Sequence, residues 1–256
     1  MISPSLDRLG ETWYRCPTRE ISESAKRSEQ IHENGELMGV SGKYDFFDVD
    51  HTIINGSSGP LFVRKGVQRG LFPALTLLYI PFFFLQYYFG SLEADSRDWY
   101  FSVLSGRSRQ ELEDVSRANF ETMKSRIYPE VRRLIKELQE QGRQVVLATS
   151  SLDLIVRPLA EDLGIREVIA TTLEFVEGRC TGRFADGPLL KEKKKDKVYD
   201  FIRSREAGWQ ECSFYTDSVN DLALLESVAD PVVVNPDRRL RRIASGRGWR
   251  VLEFRL

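Results

Sequence analysis

Three short apolar runs, each opening onto acidic or hydroxyl residues, constrain this chain more than anything else in it. Tyr44-Asp-Phe-Phe47 leads into Asp48-Val-Asp50-His-Thr52, Gln144-Val-Val-Leu-Ala148 into Thr149-Ser150-Ser151, and Cys212-Ser-Phe-Tyr-Thr216 into Asp217-Ser-Val-Asn220-Asp221. Runs of this length and composition read as buried strands. In a parallel sheet their polar ends share one edge, and that edge is where open α/β sheets bind ligands. Two acids at i and i+2 around a strand end can divide labour, one as a nucleophile and the other exchanging a proton. The plain alternative is an acidic turn, since Asp side chains favour turns. The two further polar strand ends weigh against it.

The rest of the chain alternates in the same way. A helix is expected over Pro129–Gln141, with Val131, Leu134, Ile135 and Leu138 on one face and Gly142 as its stop. Strand 144–148, helix Leu152–Leu163, a strand around Val168–Thr171 and a glycine-punctuated hairpin flap over 172–190 follow. Helix 195–205, strand 212–216, helix 219–228, strand Pro231–Val234, helix 237–246 and strand 250–254 complete the pattern. Such alternation predicts an α/β fold, a three-layer core with a parallel sheet covered on both faces. Residues 60–126 carry helical patterns alone and read as a helical cap inserted after the first strand. The core is then residues 41–59 and 127–256. Residues 1–40 are polar, without apolar period or secretory h-region, and read as a mobile N-terminal extension.

Composition removes several functional classes. A formal charge of −1 gives no sign of a nucleic-acid binder. Cys16, Cys180 and Cys212 have neither metal nor redox spacing and suit a reducing compartment, so a cytoplasmic location is expected. With His32 and His51 the only histidines, a multi-histidine zinc site is excluded. His51 reads as a neutral position pointing away from the acids. Any metal must be held by oxygen ligands, which favours Mg²⁺.

A basic helix start, Lys191 to Lys197, lies between the second and third polar strand ends. Acid pair, hydroxyl, lysine, acid pair, in that order, resembles the haloacid dehalogenase (HAD) superfamily of phosphohydrolases. Within it the likeness is to subfamily IB, which includes the phosphoserine phosphatases, and it covers about residues 44 to 254. The resemblance implies a Rossmann-like core and a Mg²⁺-dependent phosphatase. Asp48 would attack phosphorus in line and form an aspartyl-phosphate, and Asp50 would protonate the leaving alkoxide and then activate water. It also implies a metal held by Asp48, the backbone carbonyl of Asp50, and Asp217. Thr149 would bind a phosphoryl oxygen, with Asn220 and Asp221 supporting the phosphate and metal side. The family's lysine precedes apolar residues three and seven positions on. Val198 and Ile202 make Lys195 the best fit, with Lys197 as the alternative.

The substrate is where the resemblance departs. Phosphoserine phosphatases carry a glutamate nine residues after the nucleophile, to meet the substrate ammonium; here that residue is Ser57. A hydroxyl cannot compensate a desolvated ammonium as a carboxylate does. Leu71 to Phe89 contains no charged residue and has the length of a membrane span. A single crossing would separate Asp48 from Thr149, so an interfacial segment, a buried cap face or a homodimer contact remain. An amphiphilic or lipid-linked phosphate monoester is thus a candidate substrate, with peripheral membrane contact through residues 71–89 standing level with a buried cap face or a homodimer contact. The alternatives are a phosphoserine or small-metabolite phosphatase, and a non-catalytic module binding membrane or partner through its apolar cap.

Overall fold

In the computed structural model of this chain the described residues are 43–79 and 102–256. The N-terminal extension and residues 80–89 of the uncharged stretch lie outside them. Six parallel strands form one sheet in the order β3-β2-β1-β6-β7-β8. They are β1 Tyr44–Phe47, β2 Gln144–Leu152, β3 Glu167–Thr171, β6 Cys212–Thr216, β7 Asp230–Val234 and β8 Arg250–Leu252. A separate antiparallel hairpin joins β4 Leu173–Val176 to β5 Arg179–Phe184, where a flap was expected.

The sheet is apolar on both faces, and the pleat sorts its residues by the period of two. Phe47, Val145, Leu147, Tyr215, Val232 and Val234 enter one core cluster; Phe46, Val146, Ala148, Phe214 and Val233 enter the other. The first cluster is covered by α3 Pro129–Glu140 and α4 Asp153–Asp162, through Val131, Ile135, Ile155 and Leu159. The second is covered by α5 Glu192–Arg203, α6 Leu222–Leu225 and α7 Arg238–Arg247, through Val198, Ile202, Leu224, Leu225 and Leu240. Helix, sheet, helix is the three-layer architecture expected of the alternation. β2 and α5 differ in extent from expectation: the strand continues to Leu152, and the helix starts three residues earlier, at Glu192.

Between β1 and α3 the described chain forms α1 Ser58–Gln68, short 3-10 turns at Ala74–Tyr79 and Ser102–Leu104, and α2 Arg109–Lys124. Ser108 and Glu111 close a capping box on α2, satisfying two backbone donors reciprocally. Phe62, Phe72, Leu112, Val115 and Met123 bury against Val49, Ile53 and Ile54 in the first core cluster. Gly66 permits the closest approach: a Cβ there would stand 2.2 Å from the Phe72 ring. The β4–β5 hairpin binds this region through backbone bonds, Gly106 N–H to Cys180 O (2.8 Å), Cys180 N–H to Arg107 O (2.8 Å) and Arg109 N–H to Gly178 O (3.0 Å). Among the described residues no helix is long and apolar enough to cross a membrane.

Candidate active site

From β1 the chain passes to β2 and β3 on one side, then returns to β6 on the other. Strand order therefore reverses beside β1, and the crevice at such a switch point is where ligands bind in open sheets. Asp48 and Asp217 follow the ends of these two neighbouring strands. The Asp48 N–H donates to Tyr215 O at 2.9 Å, which locks the end of β1 to β6. Thr52 ties the two loops together. Its hydroxyl accepts from the Asp217 N–H (3.0 Å) and lies 3.4 Å from Asp217 Oδ1.

Asp48 is 8% exposed and reaches Lys194, whose Nζ stands 3.2 Å from Asp48 Oδ1 and 2.9 Å from Asp221 Oδ2. Asp221 also accepts from the Thr216 hydroxyl at 2.8 Å. The lysine is 1% exposed, and its Nζ lies 5.2 Å from the Phe214 ring centroid. The sequence expectation placed Lys195 here, with Lys197 as alternative; the structure places Lys194. Lys191 takes a positive φ of 47°, so the helix is set from Glu192 and its buried stripe is Lys194, Val198 and Ile202, at i, i+4 and i+8. Lys195 is about 100° further round. Lys197 is exposed and pairs with Asp186 at 2.6 Å.

Asp50 turns away from Lys194 toward the start of α1. Its Oδ1 accepts the Ser58 N–H at 2.9 Å and its Oδ2 accepts the Ser151 hydroxyl at 3.2 Å; the hydroxyls of Ser58 and Ser151 are 2.8 Å apart. Burial pushes the Asp50 carboxyl up to about 6, the Asp48 charge adds to this, and the Ser58 and Ser151 bonds oppose it. Thr149 is fully buried beside β1, its hydroxyl accepting from the Ser151 N–H at 3.2 Å. The Asn220 N–H donates to Ser218 Oγ at 3.2 Å. His51 is exposed in the left-handed region (φ 57°), with Nε2 3.0 Å from Ser57 Oγ. Thr52, Ser151 and Thr216 lie within the strand-end runs but drew no role from the sequence, and Ser58 lies outside those runs; the folded geometry supplies their contacts.

Among the described residues, three carboxylates, Asp48, Asp217 and Asp221, gather around Lys194 in this crevice. Burial, followed by the charges of Asp48 and Asp221, pushes Asp217 up to about 8. Burial also raises Asp221, against the opposing pull of Lys194. An excess of buried negative charge built from hard oxygen donors fits Mg²⁺ in chemistry. Among the described residues no group of three or more His, Cys, Asp or Glu side chains is set to hold a metal. The expected set needs only two such side chains plus the Asp50 carbonyl.

Comparison with known proteins agrees with this architecture. The profile of the haloacid dehalogenase-like hydrolases matches residues 46–226. A histidinol-phosphatase of Neisseria meningitidis is 33% identical over 219 residues, covering 82% of this chain and 97% of the relative. A phosphoserine phosphatase of Mycobacterium tuberculosis is 31% identical over 220 residues, covering 82% of this chain and 70% of the relative. Among solved structures, a Bordetella pertussis Tohama I protein of unknown function superposes with a TM-score of 0.74 at 26% identity, covering 82% of this chain and 98% of its own. The strand-end acids, the fold and these relatives agree: the chain belongs to the haloacid dehalogenase-like hydrolases, and within them it is an enzyme of the phosphatase kind.

Proposed function

We propose that the chain hydrolyses a phosphate monoester through an aspartyl-phosphate on Asp48. The observation that carries this is the Asp48 carboxylate, fixed at the switch point with Lys194 3.2 Å away and Asp217 on the adjoining strand end. A phosphate dianion approaching a carboxylate meets repulsion, so positive charge must be supplied close to both. Lys194 supplies part of it. Mg²⁺, held by Asp48, Asp217 and the Asp50 carbonyl, would supply the rest as a Lewis acid on a phosphoryl oxygen. Thr149 and Asn220 would donate to the remaining phosphoryl oxygens, and Asp221 holds Lys194 in place. Asp50 delivers a proton to the leaving oxygen and then takes one from the attacking water.

For the substrate, Ser57 supports an ester whose alcohol carries no ammonium, since the hydroxyl is neutral and already faces His51 at 3.0 Å. Leu75, Leu77 and Leu78 are exposed at 59%, 36% and 71%, and such leucines suit an amphiphilic phosphate, with lipid contact or a second copy of the chain as their cover. A second reading is an amino-alcohol phosphate, favoured by the histidinol-phosphatase that this chain matches over 97% of its length. Initial rates with Mg²⁺ on lysophosphatidate in detergent, histidinol phosphate, phosphoserine and glycerol phosphate separate the two. Preference for lysophosphatidate supports the first reading, preference for histidinol phosphate the second. Absence of release from every ester would overturn both.

A further inference from the structure

Asp50 is held by more than the position of its backbone. Two hydroxyls lie in line behind it, Ser58 Oγ 2.8 Å from Ser151 Oγ, and Ser151 Oγ 3.2 Å from Asp50 Oδ2. The other carboxyl oxygen, Oδ1, accepts the Ser58 N–H at 2.9 Å. A backbone N–H is a donor only and cannot turn round, whereas a hydroxyl can donate or accept by rotation. The two oxygens of Asp50 are therefore not equivalent. Oδ1 is held by a fixed donor and stays unprotonated, so a transferable proton belongs on Oδ2, beside Ser151. When Asp50 is ionised, Ser151 O–H donates to Oδ2, and the Ser58 hydroxyl, which also favours the Asp50 carboxylate, can donate to Ser151. When Oδ2 carries the proton, Ser151 can turn to accept from it or leave that proton free for the leaving oxygen.

From this arrangement we infer that Ser151, backed by Ser58, is a positioning residue for proton transfer: it orients the Oδ2 side of Asp50 toward the leaving-group oxygen in both halves of the reaction. The inference rests on Asp50 acting as the general acid–base, and it gives a role to the last residue of the strand-end run Thr149-Ser150-Ser151. Ser151 sits on the extension of β2 beyond Ala148, and Ser58 is the first residue of α1. A rigid strand and a rigid helix start thus clamp the carboxyl from two sides. Geometry of this kind decides how much of a general acid's effect is realised.

The test uses the leaving group as its readout. A phenol departs with little protonation, whereas an alkyl alcohol needs the acid. Turnover of p-nitrophenyl phosphate and of glycerol phosphate should be measured for Ser151→Thr and Ser151→Val, which differ by one hydroxyl in nearly the same volume, and for Asp50→Asn. Ser151→Val is expected to lower kcat on the alkyl ester about tenfold more than on the aryl ester, the loss of one hydrogen bond to a charged group. Ser151→Thr should keep the wild-type ratio. Asp50→Asn should shift the same ratio by on the order of 10²–10⁴. Equal losses on both esters in Ser151→Val, or like behaviour of Val and Thr, overturns the role of Ser151 while Asp50→Asn still discriminates. An undiscriminating Asp50→Asn overturns the general acid itself and this inference with it. Should Ser151→Val not fold, Ser58→Ala removes the upstream hydroxyl, keeps the backbone donor, and is expected to shift the ratio in the same direction; an unchanged ratio there overturns the relay.

Discussion

Strand β1 carries a buried carboxylate near each of its ends, and the two are treated in opposite ways. Asp45, fully buried, receives a fork from Arg143, with Nε at 2.5 Å and Nη2 at 2.6 Å, and Arg143 reaches on to Ser213 Oγ at 3.1 Å. Burial raises Asp45, and the arginine opposes it. A bidentate arginine–carboxylate pair is one way a fold holds a buried charge. Asp48, three residues on, shares Lys194 with Asp221 and lies beside Asp217. Among the described residues, that crevice gathers more carboxylates than cations. Balance marks a structural pair; an unrelieved surplus of carboxylates at a strand end suits a cation.

The sharpest way to break this comparison is to neutralise each carboxylate in turn. Asp48→Asn should reduce turnover on the order of 10⁴-fold or more, since the variant loses the proposed nucleophile. Removing one of the repelling charges should leave the fold intact or raise its melting temperature. Appreciable hydrolysis by that variant would sink the nucleophile assignment. Metal dependence is the next expectation from the same cluster of carboxylates. Excess chelator should abolish activity, and Ca²⁺ should inhibit, because it takes more ligands at longer distances and would engage both Asp48 oxygens. Equal rates with Ca²⁺ and Mg²⁺ would contradict a metal site at Asp48 and Asp217.

Two smaller effects sharpen it. Lys194→Met should cost on the order of 10²–10³-fold in kcat, the scale of losing one electrostatic donor to the transition state, while Lys195→Met stays within about twofold. The reverse ranking would restore the lysine assignment the sequence favoured. Asp45→Asn should act on stability instead. Breaking a buried pair by removing one partner costs about 3–5 kcal/mol, read as a lowered denaturation midpoint, with kcat of the folded fraction near wild type. A large kcat loss without loss of stability would mean the two ends of β1 are not distinct.

What the sequence made legible, and what it hid, follows the same physics. The strands were readable because a sheet buried on both faces needs continuous apolar runs, and Phe46, Phe47, Val146 and Leu147 supply them. The acids were readable because a run that stops at Asp48 or Asp217 has few reasons to do so other than chemistry. The lysine was misplaced because Lys191 to Lys197 is nearly uniform in composition, and its register depends on the positive φ of Lys191, a property no side-chain pattern encodes. The pairing of Ser151 with Ser58 was hidden because the two are 93 residues apart and meet only when β2 and α1 are brought together. The lipid-facing reading of residues 71–89 depends on residues 80–89, outside the described structure.

The smallest expected effect concerns a third kind of carboxylate, at the surface. Asp162 on α4 pairs with Arg132 of α3 at 2.6 Å and with Lys124 of α2 at 3.2 Å, joining a core helix to the helical insertion. Partial burial would raise its pKa, but the bonds from Arg132 and Lys124 outweigh it and hold the carboxyl below the usual carboxylate value of 3.8. A depressed folded pKa means that the unfolded chain takes up the proton first. The pair therefore stabilises the fold fully above that value and loses its effect as pH falls through the lower, folded pKa. Both cations are exposed by about half, so screening limits the contribution to about 1 kcal/mol or less. Asp162→Asn should lower the denaturation midpoint slightly at pH 7, with the gap to wild type closing below about pH 4 and shrinking in high salt. A gap that stays constant with pH and salt would assign the loss to packing and leave the ion pair without a share in stability.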